Sequence, residues 1–263
     1  MIPRVLTIAG SDPGGGAGVQ ADLKTFTALK VFGMSAITAV TVQNTLGVSG
    51  FTGMTPRVVS AQIEAVLCDI GADAAKIGML ADPGIIRAVA GRLKKFRIRN
   101  IVLDPVMVAK SGHALLPESA VAALIKELLG LALIVTPNIP EAEKLGGRAI
   151  RTISGAKAAA KAIRALGPRF VLIKGGHMKG PVCRDILYDG NSFREYSARR
   201  MATKNTHGTG CTLSAAIAAY IAWGMNVPEA VKNACVYLNG AIKNSFSLGS
   251  GHGPLNHFWR LKH

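Results

Sequence analysis

Hydrophobic and polar positions divide the chain into two kinds of segment. Short apolar runs rich in β-branched residues alternate with longer stretches in which apolar residues repeat with a helical period. The predicted strands are Val5–Ala9, Ser35–Val42, Ala74–Ile77, Ile101–Leu103, Leu131–Thr136 and Phe170–Lys174. The predicted helices are Ala17–Val31, Pro56–Ile70, Pro83–Lys95, Pro117–Leu129, Ile139–Leu145, Ser154–Leu166, Cys211–Trp223 and Pro228–Ser245.

Strands that are apolar throughout, each followed by a helix, predict an α/β fold. The expected architecture has three layers, α/β/α, with a mostly parallel central sheet and helices on both faces. One segment departs from this alternation, because Asp189-Gly190 lies between two alternating runs in 185–197 and predicts a β-hairpin. The chain contains neither repeats nor an interdomain linker, so we expect a single domain over residues 1–263.

Composition is that of a globular protein. Of the 263 residues, 49% are hydrophobic and 17% are charged, which suffices for one large core. The first residues lack the apolar run of a signal peptide, and the most apolar helix is shorter than the ~20 residues that cross a bilayer. The 4 cysteines form no CxxC pair, as is typical of a reduced protein. We therefore expect a soluble, cytoplasmic protein.

The net charge of +16, from 31 basic and 15 acidic side chains, raises the question of nucleic-acid binding. The basic residues are spread along the chain, however, and only 5% of residues are aromatic, so platforms for stacking bases are scarce. A diffusely basic surface that attracts anionic metabolites accounts for the charge equally well. A nucleic-acid-binding protein is therefore a remote alternative, and neither nucleic acid nor membrane is expected as a partner.

Polar and glycine-rich segments follow the predicted strands, where ligands bind in open α/β sheets. The first of them, 10–18, reads Gly-Ser-Asp-Pro-Gly-Gly-Gly-Ala-Gly and joins a strand to a helix. It fits neither the GxGxxG nor the GxxxxGK[ST] spacing. Its amides could approach a substrate, but a tight turn that requires positive φ explains the glycines equally well.

The segment 206–212 reads Thr-His-Gly-Thr-Gly-Cys-Thr and leads into an apolar helix of small residues. Glycines at a helix start let several backbone N–H groups face one anion, and the helix dipole adds positive potential. Since phosphoryl transfer depends mainly on positioning and charge stabilisation, Gly208, Thr209 and Gly210 are predicted to hold a transferring phosphoryl group. The same environment should lower the pKa of Cys211, which could then take a proton from a substrate hydroxyl. The alternative is a small buried cysteine that fills a gap.

Charged side chains at other strand ends could complete such a site. Asp104 ends a strand, where a carboxylate can meet Mg²⁺ or a phosphate-bound water. Asn138 and Glu141 lie one turn apart at a helix start and form either a capping pair or part of the site. Lys174 offers a cation to phosphate, and its place in an apolar strand argues against a solvated surface lysine, since an unpaired buried charge is costly.

Together these segments resemble the ribokinase-like superfamily and, within it, the hydroxymethylpyrimidine/phosphomethylpyrimidine kinases of thiamine biosynthesis. The resemblance extends over nearly the whole chain in 9–26, 42–45, 76–79, 103–107, 110–112, 136–142, 174–177, 206–212 and 253–257. Each segment is weak evidence alone, but their shared order is specific. The resemblance implies a ribokinase-like fold and an ATP-dependent kinase that phosphorylates 4-amino-5-hydroxymethyl-2-methylpyrimidine and then its monophosphate.

The resemblance also implies roles for single residues. The implied substrate-binding residues are Gly10, Asp22, Gln43, Met79 and Val106, of which Gln43 would read the pyrimidine edge. The implied ATP-binding residues are Asp104, Asn138, Glu141, Lys174, Gly176 and Thr206, of which Asp104 and Glu141 would organise Mg²⁺. The Gly208–Cys211 amides would form the anion hole. Cys211 stands where most sugar kinases of the superfamily carry an aspartate base, which favours a heterocyclic substrate.

Pyridoxal kinases resemble this chain in the same cysteine and anion hole, so pyridoxal or pyridoxine is the alternative substrate. The resemblance further implies a homodimer. The chain departs from the family pattern at Cys235, near which many relatives carry a basic residue. A contact between this position and the nucleotide, which a basic residue could make, is therefore in doubt for this chain.

Overall fold

The structure is a computed structural model that describes residues 1–107, 116–178 and 180–261. Its strands are β1 (Arg4–Ala9), β2 (Phe32–Ile37), β3 (Ala39–Asn44), β4 (Gly47–Gly53), β5 (Ala74–Ile77), β6 (Ile101–Leu103), β7 (Ile134–Val135), β8 (Phe170–Ile173), β9 (Val182–Tyr188) and β10 (Phe193–Arg199). Its helices are α1 (Gly18–Ala28), α2 (Pro56–Asp69), α3 (Pro83–Lys95), α4 (Glu118–Glu127), α5 (Ile139–Gly146), α6 (Ile153–Ala165), α7 (Thr209–Ala222) and α8 (Val227–Lys243).

The central sheet has 8 strands in the order β10-β9-β8-β7-β6-β5-β1-β2. All pairs from β8 to β2 are parallel, while β9 runs antiparallel to both β8 and β10. The hairpin predicted over 185–197 is the β9–β10 pair, and its turn holds Asp189-Gly190. The mostly parallel sheet predicted from the sequence is therefore confirmed.

Side chains of each parallel strand alternate between two hydrophobic cores, one on each face of the sheet. Leu6 and Ile8 of β1 face the core that packs against α2 to α6, while Val5 faces the core of α1, α7 and α8. This alternation follows from the two-residue period of a strand and explains why the strands are apolar throughout. The three-layer α/β/α architecture is thus confirmed.

The prediction of one strand over Ser35–Val42 is wrong. The chain leaves the central sheet at Thr38, so β2 ends before it, and β3 pairs with β4 in a separate antiparallel sheet of 2 strands. Thr38 holds this corner, because its amide donates to the Ala9 carbonyl oxygen and its hydroxyl to that of Met79. The sequence of a continuous β-branched run does not indicate where the chain passes from one sheet to another. β4 was not predicted as a strand, because its three glycines interrupt the apolar alternation.

Helix boundaries differ slightly from the predicted ones. Pro56 and Pro83 occupy first helical turns as expected, and Thr55 and Asp82 cap those helices. α1 ends at Ala28, because the chain must reverse before β2 begins. α7 begins at Thr209, two residues before the predicted start. Among the helices that the structure describes, none is long and apolar enough to span a membrane.

Candidate active site

The carboxyl ends of the parallel strands meet at one edge of the sheet. Gly10 follows β1, Met79 lies just after β5, Asp104 follows β6 and Lys174 follows β8. In open α/β sheets ligands bind at this edge, between the strand ends and the helices that follow them. The polar segments identified in the sequence therefore come together in space.

The glycine loop after β1 is organised around the buried carboxylate of Asp12. Its oxygens accept hydrogen bonds from the amides of Gly14, Gly16 and Ala17 at 2.9, 3.1 and 2.7 Å. The same carboxylate lies 2.8 Å from Nε2 of His207, in the segment before α7. Burial acts to raise the pKa of Asp12, but His207 and the loop amides outweigh burial and hold that pKa below its usual range. Asp12 thus ties the glycine loop to the start of α7.

The start of α7 lies directly against the glycine loop. Gly208 precedes the helix with a φ of 78°, in the left-handed region that favours glycine. A Cβ atom at this position would lie 1.8 Å from the carbonyl oxygen of Gly16, so any side chain would force the two segments apart. Because glycine has no side chain with which to cap the helix, the first amides of α7 are available to an anion.

Lys174 and Asp104 form an ion pair beside the first turn of α7. Lys174 Nζ lies 2.7 Å from Asp104 Oδ1, and both side chains are largely buried. A Cβ atom on Gly210 would lie 3.3 Å from Lys174 Nζ and 3.6 Å from Asp104 Oδ2. The hydroxyl of Ser214 donates to Asp104 Oδ2 at 3.3 Å, which joins the pair to α7. The buried charge of Lys174 is therefore paired, in agreement with the cost of leaving it alone.

Asn138 and Glu141 form a capping box at the start of α5. Asn138 Oδ1 accepts from the Glu141 amide at 2.9 Å, and Glu141 Oε2 accepts from the Asn138 amide at 2.8 Å. The same Oε2 lies 4.0 Å from Lys174 Nζ. Burial raises the pKa of Glu141 to about 7, with Lys174 opposing and Asp104 adding to the effect. Glu141 therefore caps the helix and also faces the ion pair.

Cys211 lies in the first turn of α7 and is partly buried. Burial raises the pKa of its thiol to about 11, and the carboxylates of Asp22 and Asp104 act in the same direction. Lys76 and a hydrogen bond from the Gly18 amide oppose this effect by favouring the thiolate. The prediction that the pKa of Cys211 is lowered is therefore wrong, because burial and the two carboxylates outweigh Lys76 and the Gly18 hydrogen bond.

A buried ion pair close to Cys211 joins β5 to α1. Lys76 Nζ lies 2.8 Å from Asp22 Oδ2, which also accepts a hydrogen bond from the Thr7 hydroxyl at 2.6 Å. Both charged side chains are fully buried, and among the described residues Asp22 Oδ1 has no hydrogen-bond partner. Burial acts to lower the pKa of Lys76, but the negative charge of Asp22 outweighs it and raises that pKa. Asp22, which the resemblance assigned to the substrate, is thus enclosed between the sheet and α1.

The residues assigned to the substrate ring surround the end of β1. A Cβ atom on Gly10 would lie 3.2 Å from Met79 Sδ, so these two residues are neighbours. Val106 packs against the same core as Met79. Gln43, near the end of β3, places its Nε2 atom 3.4 Å from His207 Nε2. Gln43 and His207 therefore connect the ring side of the site with the start of α7.

The remaining predicted positions lie at the outer side of the site. Gly176 is exposed in the turn after β8, and its carbonyl oxygen accepts a hydrogen bond from Arg200 at 2.9 Å. Thr206 is half-buried beside His207. Cys235 Sγ lies 3.7 Å from an oxygen of Asp185, a half-buried carboxylate. The segment 110–112, part of the resemblance, falls outside the described residues.

Three residues of this site carried no assigned role in the sequence analysis: Asp12, Lys76 and His207. The signal for Asp12 was its spacing to Gly14, since Asp-x-Gly is typical of a side chain that bonds the backbone two residues on. Lys76 stands inside an apolar strand, so the argument used for Lys174 applied to it equally. His207 had no such signal, because its partner is 195 positions away in the chain.

Comparison with known proteins identifies the family. The model of the family described as phosphomethylpyrimidine kinase matches residues 12–256. A hydroxymethylpyrimidine/phosphomethylpyrimidine kinase of Rhizobium meliloti is 52% identical over 263 residues, which cover 99% of this chain and 98% of that protein. A thiamine biosynthesis bifunctional protein of Geobacter sulfurreducens is 50% identical over 96% of this chain, which spans 52% of that protein.

Solved structures show the same similarity. A phosphomethylpyrimidine kinase of Clostridium difficile superposes with a TM-score of 0.82 at 47% identity and covers 91% of this chain and 99% of its own. An ADP complex of Bacillus subtilis pyridoxal kinase superposes with a TM-score of 0.91 at 39% identity over 100% of both chains. These neighbours have the ribokinase-like fold, which is thereby confirmed for this chain. With a family model that matches most of its length and full-length relatives at this identity, the chain belongs to the phosphomethylpyrimidine kinase family.

Proposed function

We propose that this protein transfers the γ-phosphoryl group of ATP to 4-amino-5-hydroxymethyl-2-methylpyrimidine, and then a second group to the monophosphate, in thiamine biosynthesis. The observation that carries the proposal is the position of Lys174 and Asp104 beside the first turn of α7, whose N-cap Gly208 provides no side-chain cap. Gly10, Met79 and Gln43 lie at the same edge of the sheet. In that arrangement Lys174 and the start of α7 can bind the phosphoryl group that is transferred, while the Gly10, Met79 and Gln43 side can bind a flat heterocycle. The names of the full-length relatives agree with it.

In this proposal the substrate oxygen attacks the γ-phosphorus while the bond to the bridging oxygen of ADP breaks. The hydroxyl proton passes to Cys211 in its thiolate form, and the Gly208–Cys211 amides stabilise the charge on the transferring oxygens. Phosphoryl transfer passes through a loose transition state, so positioning and stabilisation of charge supply most of the catalysis, and the base adds to them. In the second transfer the acceptor is a phosphate oxygen, which carries no proton that must be removed when ionised.

ATP is the co-substrate of kinases in this family, and ATP-analogue complexes are known for pyridoxal kinase neighbours of this fold. We assign Lys174, Thr206 and Gly176 to the nucleotide side, with Asn138 and Glu141 next to them. Lys174 supports this assignment because its ammonium lies beside the α7 amides, where it would share a phosphate with them.

Mg²⁺ fits the same place. Asp104 and Glu141 supply hard oxygen donors, and within the described residues no cluster of three acidic, histidine or cysteine side chains offers a complete metal site. Mg²⁺ commonly keeps several waters and binds through one or two carboxylates plus substrate phosphates, which suits two carboxylates of this kind. When bound, the ion would neutralise the charge that develops on the phosphates.

Pyridoxal or pyridoxine is the second candidate substrate. It is favoured by the superposition with pyridoxal kinase over the whole chain at a TM-score of 0.91. Gln43 and Met79 favour the aminopyrimidine, since an amide can pair with the donor and acceptor edge of that ring. The two candidates use the same phosphoryl-transfer groups and differ only on the ring side.

A side-by-side assay tests the proposal. Purified protein is incubated with ATP and Mg²⁺ together with the pyrimidine alcohol, its monophosphate, pyridoxal or no acceptor, and ADP release is measured. We expect turnover with the two pyrimidines and its loss on addition of EDTA. The Gln43→Leu variant should raise the KM for the pyrimidine more than the KM for ATP. Turnover with pyridoxal alone would replace the first candidate by the second, and equal changes of both KM values would place Gln43 outside the substrate pocket.

We also propose that the protein acts as a homodimer formed through the β3–β4 hairpin. Along β3, Ala39 and Thr41 point inward, while Val40 and Val42 are 47% and 64% exposed on the opposite side. Leu46 in the adjoining turn is 69% exposed. A hairpin with an open face of β-branched side chains is a weak unit alone, and a second copy of the same face would cover it.

A further inference from the structure

The segment 246–257, here called the C-terminal strap, crosses the active-site edge after α8 ends at Lys243. It contains Gly253-Pro-Leu-Asn-His257, to which the proposed reaction gives no role. Apart from an isolated bridge between Pro254 and His207, the strap forms neither helix nor strand. Its path is therefore set by its contacts with other segments, and three of these contacts adjoin the site.

The strap first contacts the turn of the β3–β4 hairpin at Thr45. The amides of Gly251 and His252 donate to Thr45 Oγ1 and to the Thr45 carbonyl oxygen at 3.3 and 2.8 Å. A Cβ atom on Gly251 would lie 2.0 Å from that carbonyl oxygen, and one on Gly249 would lie 2.3 Å from Thr45 Oγ1. Only glycine permits such an approach. Because Thr45 is two residues beyond Gln43, the strap holds the end of the hairpin that carries Gln43.

The strap next contacts the loop before α7. The amide of His207 donates to the Gly253 carbonyl oxygen at 3.1 Å. Asn205 donates from Nδ2 to Ser247 Oγ at 3.2 Å, and a Cβ atom on Gly253 would lie 2.3 Å from Asn205 Oδ1. Gly208 follows His207 directly. The strap therefore holds the loop that leads into the anion-binding start of α7.

The end of the strap reaches α7 itself. His257 Nε2 lies 3.0 Å from the hydroxyl of Thr212, and both side chains are buried. Burial lowers the pKa of His257 to about 4, so this imidazole is neutral at physiological pH. Tyr237 of α8 donates from its hydroxyl to the His257 carbonyl oxygen and fixes the strap end. Thr212 follows Cys211 directly, so this contact adjoins the reacting end of the site.

We propose that the C-terminal strap is a brace that sets the distance between the hairpin bearing Gln43 and the phosphoryl-binding start of α7. Gly251, Gly253 and His257 are its positioning residues, each acting through a segment that it contacts. The identity of what the two ends bind rests on the proposed function. The mechanical coupling of hairpin to helix start rests on the contacts alone.

The need for a brace follows from the architecture. The β3–β4 hairpin lies outside the central sheet, and a two-stranded hairpin is marginally stable by itself. Its orientation therefore depends on the segments packed against it. The glycine loop contacts both ends of the site, because Ser11 hydrogen-bonds to Ala39 and Thr41 of β3, and Gly16 lies against Gly208. The strap is a second, separate connection between the hairpin and the start of α7. Since a displacement of about 1 Å between reacting groups can lower a rate by about a hundredfold, a second connection that limits movement of the hairpin against the start of α7 matters for turnover.

The test compares Gly251→Ala with the control Gly50→Ala in the full-length protein. Gly50 lies on β4 of the same hairpin, and a Cβ atom there would find open space. We expect Gly251→Ala to raise the KM for the pyrimidine alcohol and to lower kcat by about tenfold or more, with the KM for ATP little changed. Hydrogen exchange should rise in peptides covering both 44–50 and 203–210. The control should change neither the kinetics nor the exchange.

A second pair of variants tests the far end of the strap. His257→Leu removes the contact with Thr212 and should lower kcat, whereas His257→Gln places an amide nitrogen near the Nε2 position and should restore it. Faster exchange confined to 246–257, with both KM values unchanged, would overturn the brace. So would a loss of kcat in His257→Leu that His257→Gln fails to restore. The exchange result stands even if the wild type phosphorylates no pyrimidine, so failure of the proposed function and failure of the brace are distinguishable.

Discussion

The thiol of Cys211 is subject to opposing electrostatic influences, and their balance decides how it can act. Burial and the carboxylates of Asp22 and Asp104 favour the neutral thiol, while Lys76 and the Gly18 amide favour the thiolate. With a pKa of about 11, the thiolate is a minor species at neutral pH. Only this thiolate fraction can accept the proton of the substrate hydroxyl, so turnover through Cys211 should depend on how much thiolate is present.

The pH dependence of turnover tests this role of Cys211. We expect Cys211→Ala to lower kcat by about 10²–10⁴-fold while the Tm stays unchanged, since the change removes a base and few atoms. Because the thiolate fraction increases as pH approaches the pKa of about 11, wild-type kcat should rise with pH through the neutral range. The variant should lose this rise. Cys68→Ala, at an exposed cysteine, is the matched control.

Either of two results would contradict a proton acceptor at this position. One is near-wild-type turnover in Cys211→Ala, and the other is a wild-type profile with the same pH dependence as the variant. The first would assign the role to another group, and the second would limit Cys211 to packing.

Single residues of the site could be predicted where a buried charge requires a partner. Lys174 was identified in this way, and the structure pairs it with Asp104. Lys76 satisfies the same rule, since it also stands inside an apolar strand, and its partner is Asp22. The pairing of Asp12 with His207 could not be predicted, because it depends on the tertiary fold across 195 positions. The sequence rule therefore finds that a partner is needed without identifying which residue supplies it.

The start of α7 shows how one element is fixed by another. Gly208 has a φ of 78° and lies so close to Gly16 that a Cβ atom would collide with the backbone of the glycine loop. The anion-binding amides are thus held by the close packing of two loops. The end of the same helix offers a comparison, because Gly224 also has a positive φ, of 88°, but has open space around its Cα.

A pair of glycine substitutions separates backbone strain from displacement of the helix start. Gly208→Ala and Gly224→Ala both force alanine into a positive φ, which costs about 1 kcal/mol of the free energy of unfolding or more. Only Gly208→Ala should also move α7 away from the glycine loop, and we expect it to lower kcat/KM by about a hundredfold or more. Gly224→Ala should stay close to wild type. Equal activity of the two variants would show that the close contact with Gly16 has no part in catalysis.

Elements were predictable where hydrophobic period and strand length agreed. β5 and β6 match their predicted bounds. Each is a short apolar run flanked by turn residues, so the residues of the buried strand and its two ends are both visible in the sequence. The run Ser35–Val42 failed because each half is a good strand and only the tertiary contacts of Thr38 divide them. The hairpin that carries Gln43 was therefore missed as an element, although Gln43 itself was named through the resemblance.

At the scale of the whole molecule, residues that are far apart in the chain share one site because they lie at the same edge of the central sheet. The order of the strands brings β1, β5, β6 and β8 close to one another, and α7 packs across them. The class of fold could be predicted from alternation alone, since right-handed parallel crossovers leave few arrangements. The position of the β3–β4 hairpin beside this edge could not, because it depends on where a strand leaves the sheet.

That hairpin also provides the test of assembly. If a second copy covers Val40, Val42 and Leu46, the wild type should have twice the 27.4 kDa mass of one chain in light scattering. Val42→Lys should give the monomer mass, because a charge would be buried without a partner at the interface. Val236→Lys, at a valine that is 51% exposed on α8, is the matched control and should remain dimeric. A monomeric wild type would exclude the dimer, and a Val42→Lys protein of wild-type mass would place the interface elsewhere. Since Gln43 follows Val42 on the same strand, loss of the dimer should also raise the KM for the pyrimidine.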